Sequence, residues 1–314
     1  LDGRTLNDRE MPDAVALEYP DWLDASLRRA FGPDIDREMT ALNAPAPLDL
    51  RVNSLRGTRE QAVAALAEEG IESKPTPFSR IGLRLAGRPN PRATRTFRDG
   101  LVEVQDEGSQ IVAALTGVRP GMAAVDVCAG AGGKTLALAA AMQNDGTLRA
   151  CDVEEKFLKR LEDRAGRAGA TGIQRRVLAG DGDPWIAENA GCFDRVLADV
   201  PCSGSGTWRR APGEKWRLTP ERLAELVEKQ AGILGTAAGL VKPGGRLVYA
   251  TCSVLTEENE ERVETFLRDH PEFRPLPIPD IWAETLDGPC PADGTALRLS
   301  PAATGTDGFF AAVM

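Results

Sequence analysis

The sequence is poor in the residues that mark several common classes of functional site. It contains one histidine, two tyrosines and six cysteines, and aromatic residues make up 5% of the chain. None of the cysteines forms a Cys-x-x-Cys pair, so a zinc site with ordinary ligand spacing is excluded and we expect no bound metal. The cysteine spacing is also unlike a disulfide framework, which favours a reducing compartment. Since the sequence shows no signal peptide and no apolar run of membrane length, we expect a cytoplasmic protein without membrane contact.

Positive charge is also in short supply. The 38 lysines and arginines are outnumbered by 47 aspartates and glutamates, which gives a net charge of −9. This balance argues against a protein that binds nucleic acid through its overall charge, although local patches decide binding. With 314 residues and 42% hydrophobic content, the chain can bury a sizeable core in one large domain or two unequal ones.

The first hundred residues predict a small α+β unit. Short helices are followed by a strand, a helix and a second strand, at residues 48–55, 58–69 and 81–85. Residues 87–98 are rich in proline and arginine and predict a linker. We therefore assign residues 1–98 to an N-terminal region with its linker.

From about residue 101 the pattern changes to alternating strands and helices, which is typical of a parallel sheet with crossover helices. The predicted strands lie at residues 123–127, 147–152, 174–178, 195–199 and 246–251. The helices between them lie at residues 135–142, 155–168 and 220–241. Two final strands, at 296–299 and 308–313, are expected to be antiparallel. Residues 99–314 thus predict a Rossmann-like α/β domain with a mostly parallel sheet.

A glycine-rich loop follows the first strand of this domain. It consists of Cys128, Ala129, Gly130, Ala131, Gly132, Gly133 and Lys134. Glycines at such a turn let backbone N–H groups approach a ligand closely. The next three strands end near Asp152, Asp181 and Asp199. Because ligands in open α/β sheets bind at the carboxyl ends of the strands, these residues are expected to converge on one ligand.

Two other nucleotide sites compete with this interpretation. The end of the loop, from Gly133 to Thr135, resembles a Walker A motif and would fit a P-loop ATPase. That motif requires glycine where Cys128 stands, and a side chain there would crowd the phosphates. A dinucleotide enzyme is disfavoured because the glycine spacing does not match G-x-G-x-x-G.

Two cysteines stand at the same predicted edge of the sheet. Cys202 follows the fourth strand and Cys252 follows the fifth, both beside Pro, Ser or Gly. A cysteine is more often a small buried hydrophobe, and that interpretation suits Cys151 and Cys192. A thiolate at a ligand edge has a chemical use, since its addition to carbon 6 of cytosine makes carbon 5 nucleophilic toward a methyl donor. A carboxylic acid nearby would help by protonating N3 of the ring.

Several motifs resemble one known family. They are residues 128–135, 199–206 and 251–253, with residues 105–110, 215–217 and 305–310, and residues 51–55 near the N-terminus. Together they closely resemble the RsmB/Sun/Fmu-type 5-methylcytosine RNA methyltransferases. The resemblance spans the chain from about Tyr19 to the end. It implies an S-adenosylmethionine-dependent RNA (cytosine-5-)-methyltransferase that acts on rRNA as a monomer, with an RNA-recognition-like unit in its N-terminal region.

The resemblance also implies roles for single residues. Cys252 matches the family's nucleophile, Cys202 the cysteine that assists product release, and Asp199 the carboxyl group that holds and protonates the cytosine. The loop 128–134 matches the donor-binding loop, and Lys134 is also expected to touch the target base. Further donor contacts are expected from Asp152, Asp181 and Asp199.

Other sequence features leave alternatives open. Trp208 and Trp216 stand among arginines and lysines after Cys202, which suits either RNA stacking or a buried pair of rings. The linker arginines could grip an RNA backbone or be solvated; they are Arg88, Arg92, Arg95 and Arg98. The acidic run 257–261 is interpreted as the solvated start of a helix. The alternative functions are methylation of tRNA and a non-catalytic RNA-binding assembly factor that retains the fold.

Overall fold

The computed structural model describes residues 11–180 and 182–314. Within them the strands form a four-stranded sheet in the order β2-β3-β1-β4 and a seven-stranded sheet in the order β10-β11-β9-β8-β5-β6-β7. The small sheet consists of β1 (Asp49–Val52), β2 (Ser73–Pro75), β3 (Gly82–Leu85) and β4 (Val102–Val104). The large sheet consists of β5 (Ala123–Asp126), β6 (Thr147–Asp152), β7 (Ile173–Val177), β8 (Phe193–Asp199), β9 (Val241–Thr251), β10 (Ala296–Leu299) and β11 (Phe309–Val313).

Helices connect and cover these strands. They are α1 (Asp13–Ala16), α2 (Asp24–Phe31), α3 (Ile35–Asn43), α4 (Arg59–Glu68), α5 (Arg95–Arg98), α6 (Glu107–Leu115), α7 (Gly133–Ala141), α8 (Glu155–Ala168), α9 (Pro184–Glu188), α10 (Glu214–Arg217), α11 (Pro220–Leu240), α12 (Glu260–Asp269), α13 (Ile278–Thr285) and α14 (Pro301–Thr304). Short 3-10 turns lie at Asp21–Leu23, Gly32–Asp34, Pro91–Ala93, Ser205–Thr207 and Thr256–Glu258. No helix among the residues described is both long and apolar enough to cross a membrane.

The large sheet confirms the predicted fold class. Five adjacent strands, β9, β8, β5, β6 and β7, pair in parallel, and β10 and β11 add antiparallel pairing at one side. Strands such as β5 and β8 are apolar because helices cover both faces, and the two resulting cores contain Leu197 and Val248 on one side and Val196 and Tyr249 on the other. Parallel pairing brings the carboxyl ends of β5, β6, β8 and β9 to one edge of the sheet.

The small sheet contains the predicted strand, helix and second strand as β1, α4 and β3, and it adds β2 and β4, which sequence analysis did not predict. The helix α4 begins at a capping box. The Thr58 hydroxyl accepts from the backbone N–H of Gln61, and the Gln61 side-chain oxygen accepts from the backbone N–H of Thr58. Its apolar side packs on the sheet through Ala62 and Leu66. The strand β4 follows Arg98 in the chain yet pairs with β1, which places residues 102–104 in the small sheet.

The expected linker is partly helical. Residues 91–98 form a 3-10 turn and α5 instead of an extended segment, because Thr94 caps α5 and the Glu69 carboxylate accepts from the backbone of Arg95 and Thr96. Sequence analysis predicted a linker here and did not predict α5.

The second face of the small sheet is polar and packs against the helices of the large sheet. Glu103 pairs with Arg164 and Arg167 of α8. Asn53 donates to the carbonyl of Ala168, and the Arg51 guanidinium donates to Gln105. Both faces of the small sheet are therefore covered, one by α4 and the other by the larger unit.

The helices α1–α3 do not pack on the small sheet. Their apolar side chains, including Leu27 and Met39, share a core with Trp208, Val254 and Leu255. These last residues follow the two cysteine-bearing strand ends, so the N-terminal helices support the loops of the predicted site.

Candidate active site

The glycine-rich loop forms a turn between β5 and α7. Gly132 has a left-handed backbone (φ +84°), and a Cβ atom at that position would lie 2.1 Å from the Leu161 side chain. Only glycine fits there, since an L-residue would be strained as well as blocked. On the other side the turn is open, because a Cβ atom on Gly130 would meet no atom within 4 Å. A ligand can therefore approach the loop backbone.

Carboxylates from neighbouring strand ends surround this loop. The Asp152 side chain at the end of β6 accepts from the backbone N–H of Gly130 (2.8 Å) and of Glu154. Asp126 at the end of β5 accepts from the Thr135 hydroxyl, while its Oδ1 is buried without a partner. Burial raises the pKa of Asp126 to about 7, while the Thr135 hydrogen bond lowers it and the charge of Asp199 raises it by a smaller amount.

The electrostatics of the loop suit a cationic ligand. Burial raises the pKa of the Cys128 thiol, and the carboxylates of Asp126, Asp199 and Asp152 raise it further. Three acidic groups thus act on one point of the loop. An excess of carboxylates fits a ligand with a positive centre, such as the sulfonium of a methyl donor.

Lys134 links the glycine turn to β8. Its Nζ lies 2.6 Å from Asp199 Oδ2 and 5.4 Å from the centre of the Phe309 ring. Burial lowers the pKa of Lys134, but the charges of Asp199 and Cys252 outweigh burial and the net shift is upward. The lysine is held charged between the carboxylate and the cysteine.

The side chains of the two predicted cysteines face each other. Cys202 Sγ and Cys252 Sγ are 3.4 Å apart, and both thiols are free and partly buried. The hydrogen bond to Cys252 raises the pKa of Cys202, and burial and the charges of Cys252 and Glu258 raise it further. The structure therefore brings Lys134, Asp199, Cys202 and Cys252 together at the edge predicted for them.

Two glycines allow the cysteine-bearing loops to cross closely. The backbone N–H of Gly206 donates to the Cys252 carbonyl (3.0 Å), and the N–H of Gly308 donates to the Gly206 carbonyl (2.8 Å). A Cβ atom on Gly206 would lie 2.1 Å from the Gly308 oxygen. The motif containing Gly308 thus fixes the loop beside Cys202.

A buried hydrogen-bond network joins the same two loops. The hydroxyls of Ser203, Ser205 and Ser253 lie within 3.2 Å of one another. Glu258 accepts from the Ser203 backbone and hydroxyl and from the Gln230 amide. Sequence analysis missed Glu258 because the acidic run was interpreted as solvated. That interpretation was wrong, since Glu258 has no exposed surface; its partners come from distant parts of the chain, which sequence spacing does not reveal.

The tryptophan and arginine motif divides into buried and exposed parts. Trp208 is in the core, and the neighbouring Arg209 and Arg210 pair with Asp307. Trp216 is 59% exposed. Asp181, one of the predicted donor contacts, lies outside the described residues. Among those residues there is no group of three or more His, Cys, Asp or Glu side chains that could hold a metal.

Comparison with known proteins identifies the family. Residues 114–314 match the model of the 16S rRNA methyltransferase RsmB/F family. The chain belongs to this family. Residues 19–90 match the RsmF/B-like ferredoxin-like domain that accompanies it. The family match confirms the resemblance found in the motifs and the expected cofactor, S-adenosylmethionine.

Individual relatives of this RsmB/F chain agree. It is 33% identical over 299 residues to a probable ribosomal RNA small subunit methyltransferase B of Bacillus subtilis, covering 95% of this chain and 66% of the relative. The identity to the Synechocystis protein of the same description is 35% over 314 residues, covering 99% and 70%. A crystal structure of a methyltransferase homologue from Pyrococcus horikoshii superposes with a TM-score of 0.80 at 28% identity, covering 96% of each chain. The chain spans about two thirds of the length of these curated relatives.

Proposed function

We propose that this chain methylates carbon 5 of a cytosine in ribosomal RNA, with S-adenosylmethionine as the donor and Cys252 as a covalent nucleophile. The observation that carries the proposal is the 3.4 Å separation of the Cys202 and Cys252 sulfurs beside the Lys134–Asp199 pair. Two thiols, a carboxylate and an ammonium group at one strand edge match what covalent activation of a pyrimidine requires.

The loop 128–134 is proposed to hold the donor, with help from Asp152, Asp181 and Asp199. The backbone of the turn is accessible at Gly130, and the surrounding carboxylates suit a positive ligand. When bound, S-adenosylmethionine supplies a methyl group attached to a positively charged sulfur. Its charge and that of Lys134 favour the thiolate form of a nearby cysteine.

The reaction begins with the Cys252 thiolate. Its sulfur adds to carbon 6, the ring electrons move toward N3, and N3 takes a proton delivered through the carboxyl group of Asp199. Lys134, whose Nζ lies 2.6 Å from that carboxylate, holds the Asp199 side chain in place. Carbon 5 then takes the methyl group, and the electron pair of the broken bond stays on the donor sulfur as a neutral thioether. In the last step the carbon 5 proton leaves with the assistance of Cys202. The electron pair that this proton leaves behind expels the Cys252 thiolate from carbon 6, and N3 returns its proton to Asp199.

The proposed RNA contacts lie outside the catalytic edge. The arginines of residues 87–98 keep exposed side chains, as does Trp216, and these groups can contact phosphates and stack on bases. We propose that residues 1–98 form an RNA-binding region, whose sheet is completed by β4 (Val102–Val104), and that residues 99–314 otherwise form the catalytic unit. The target base must leave its stack to meet Cys252, so the substrate cytosine is expected in a loop or an opened helix.

The two cysteines provide the test. In Cys252→Ala, methyl transfer to the RNA falls to background because no bond to carbon 6 forms. In Cys202→Ala, a protein–RNA adduct that survives denaturing gels accumulates because release is blocked. Transfer of labelled methyl groups and gel mobility measure the two outcomes on the same RNA. Cys192→Ala, which changes an exposed cysteine away from the site, is the matched control, and methylation that survives in Cys252→Ala would rule out the proposed nucleophile.

A further inference from the structure

The two sulfurs of the proposed site have unequal surroundings. The Lys134 ammonium interacts with the charge of Cys252, whereas the Glu258 carboxylate acts on Cys202. A positive group is thus associated with one sulfur and a negative group with the other. Since the sulfurs are only 3.4 Å apart, such a difference determines which of them holds a shared proton.

Glu258 is fixed in its position by neutral donors. Its Oε1 accepts from the Ser203 backbone N–H (2.8 Å) and the Gln230 amide (2.9 Å), and its Oε2 accepts from the Ser203 hydroxyl. The Gln230 amide also donates to the Pro201 carbonyl (3.0 Å). These contacts tie the carboxylate to the residues on both sides of Cys202.

Other titratable groups around Cys202 come from several elements. The hydroxyl of Tyr249 on β9 donates to the Glu258 backbone carbonyl (2.6 Å). Burial raises the pKa of Tyr249, and the charges of Cys202 and Glu258 raise it further, while Arg262 of α12 lowers it. Tyr249 therefore stays neutral. Cys252 and Glu258 remain the groups whose charge acts on Cys202, whereas Lys134 interacts with the charge of Cys252.

We propose that Glu258 is a positioning residue that keeps the shared proton on Cys202, so that Cys252 is the sulfur left as a thiolate. The proposal rests on the proposed function, in which these sulfurs are the reacting pair. It assigns a use to a buried carboxylate that does not itself reach the substrate. A negative charge in a buried site acts over a short distance with little screening, so its effect on the nearer thiol is large.

Alkylation of Cys202 measures this effect without any RNA. In a Cys252→Ser background, the rate of iodoacetamide alkylation of Cys202 is followed against pH by peptide mass spectrometry. Replacing Glu258 by Gln removes the charge and keeps the shape. We expect the midpoint of the profile to fall by about one pH unit, so that alkylation at neutral pH rises roughly tenfold. With both sulfurs present, the ratio of Cys202 to Cys252 alkylation rises in the same direction.

Two further variants separate charge from structure. Glu257→Gln changes the neighbouring glutamate, which bonds to Ser26 and Arg29 instead, and it leaves the midpoint unchanged. Glu258→Asp keeps the charge but withdraws it by one methylene, so its midpoint falls less than that of Glu258→Gln. An unchanged or higher midpoint in the folded Glu258→Gln variant, or a fall in Glu258→Asp as large as in Glu258→Gln, overturns the proposal. Because the assay contains no RNA, its result is independent of whether the chain methylates RNA.

Discussion

The six cysteines show how surroundings decide the role of one residue type. Cys151 is fully buried, and burial raises its pKa to about 12, so it is the small core residue that its sequence context predicts. Cys192 was given the same interpretation and is exposed instead. Cys202 and Cys252 differ from both because each meets a second sulfur and an ionisable side chain. The thiols expected to react are those placed at strand ends.

Trp216 gives a prediction for RNA contact by a single residue. Its ring is 59% exposed, which is unusual for a large aromatic side chain without a partner to bind. Trp216→Ala is expected to weaken RNA binding about tenfold, in the range of one lost base stack, with little change in melting temperature. Filter binding and thermal denaturation measure the two quantities. Val177→Ala removes another exposed apolar side chain and should leave affinity unchanged; equal affinities for all three proteins would exclude the stacking role.

Asp126 gives a prediction for pH dependence. Its pKa is raised by burial from 3.8 to about 7, so the folded state holds this proton more tightly than the unfolded state. Its contribution to stability is complete below pH about 4 and is lost as the pH rises through about 7. The free energy of unfolding of the wild type minus that of Asp126→Asn should therefore decrease as the pH rises from about 4 to about 7, by at most about 1.4 kcal/mol per pH unit for one proton. Urea unfolding at several pH values measures the difference, and a flat difference curve would contradict the shift.

At the scale of elements, the crossing of the loops after β8 and before β11 is a tight backbone contact. Gly206→Ala places a methyl group 2.1 Å from the Gly308 oxygen, and the loops must separate. We expect a loss of about 1–3 kcal/mol in the free energy of unfolding and a fall in activity, because Cys202 moves with its loop. Gly213→Ala is the control, since its Cβ atom would meet nothing within 4 Å. Urea denaturation measures the free energy of unfolding of both variants. Equal values would show that the two loops can separate without destabilising the fold.

Sequence patterns predicted elements whose signal is local. Helix α8 was predicted at its observed bounds, and β6 likewise, because an amphipathic period and a buried apolar run are properties of neighbouring residues. The loop 128–134 and the two cysteines were found because their motifs are contiguous. Elements such as α13 were not predicted, and Glu258 was misinterpreted. Their positions depend on partners far away in the chain, such as Gln230 and Ser203 for Glu258.

At the scale of the whole molecule, ion pairs join β4 of the small sheet to α8 of the large sheet's helical layer. The Glu103 carboxylate is 3% exposed and binds both Arg164 and Arg167. Glu103→Gln leaves two partly buried guanidinium groups without their anion, so a loss of about 2–3 kcal/mol is expected, below the cost at a fully buried pair. Glu162→Gln, which breaks an exposed pair with Arg175, should cost about 0–1 kcal/mol. Thermal and urea denaturation measure both losses; similar losses would mean that the Glu103 pairs do not stabilise the junction.

Because both faces of the small sheet are covered, they limit how the proposed RNA-binding region can contact RNA. An exposed four-stranded sheet commonly binds RNA by stacking bases on its broad face. In this molecule that face is buried against the rest of the protein, through contacts of Arg51, Asn53 and Glu103. The basic side chains of the small unit that remain exposed to solvent are Lys74 on the edge strand β2 and the arginines of residues 88–98. If the small unit binds RNA as proposed, these exposed basic side chains contact the phosphates, and the ion pairs of Glu103 with Arg164 and Arg167 join that contact surface to the larger unit.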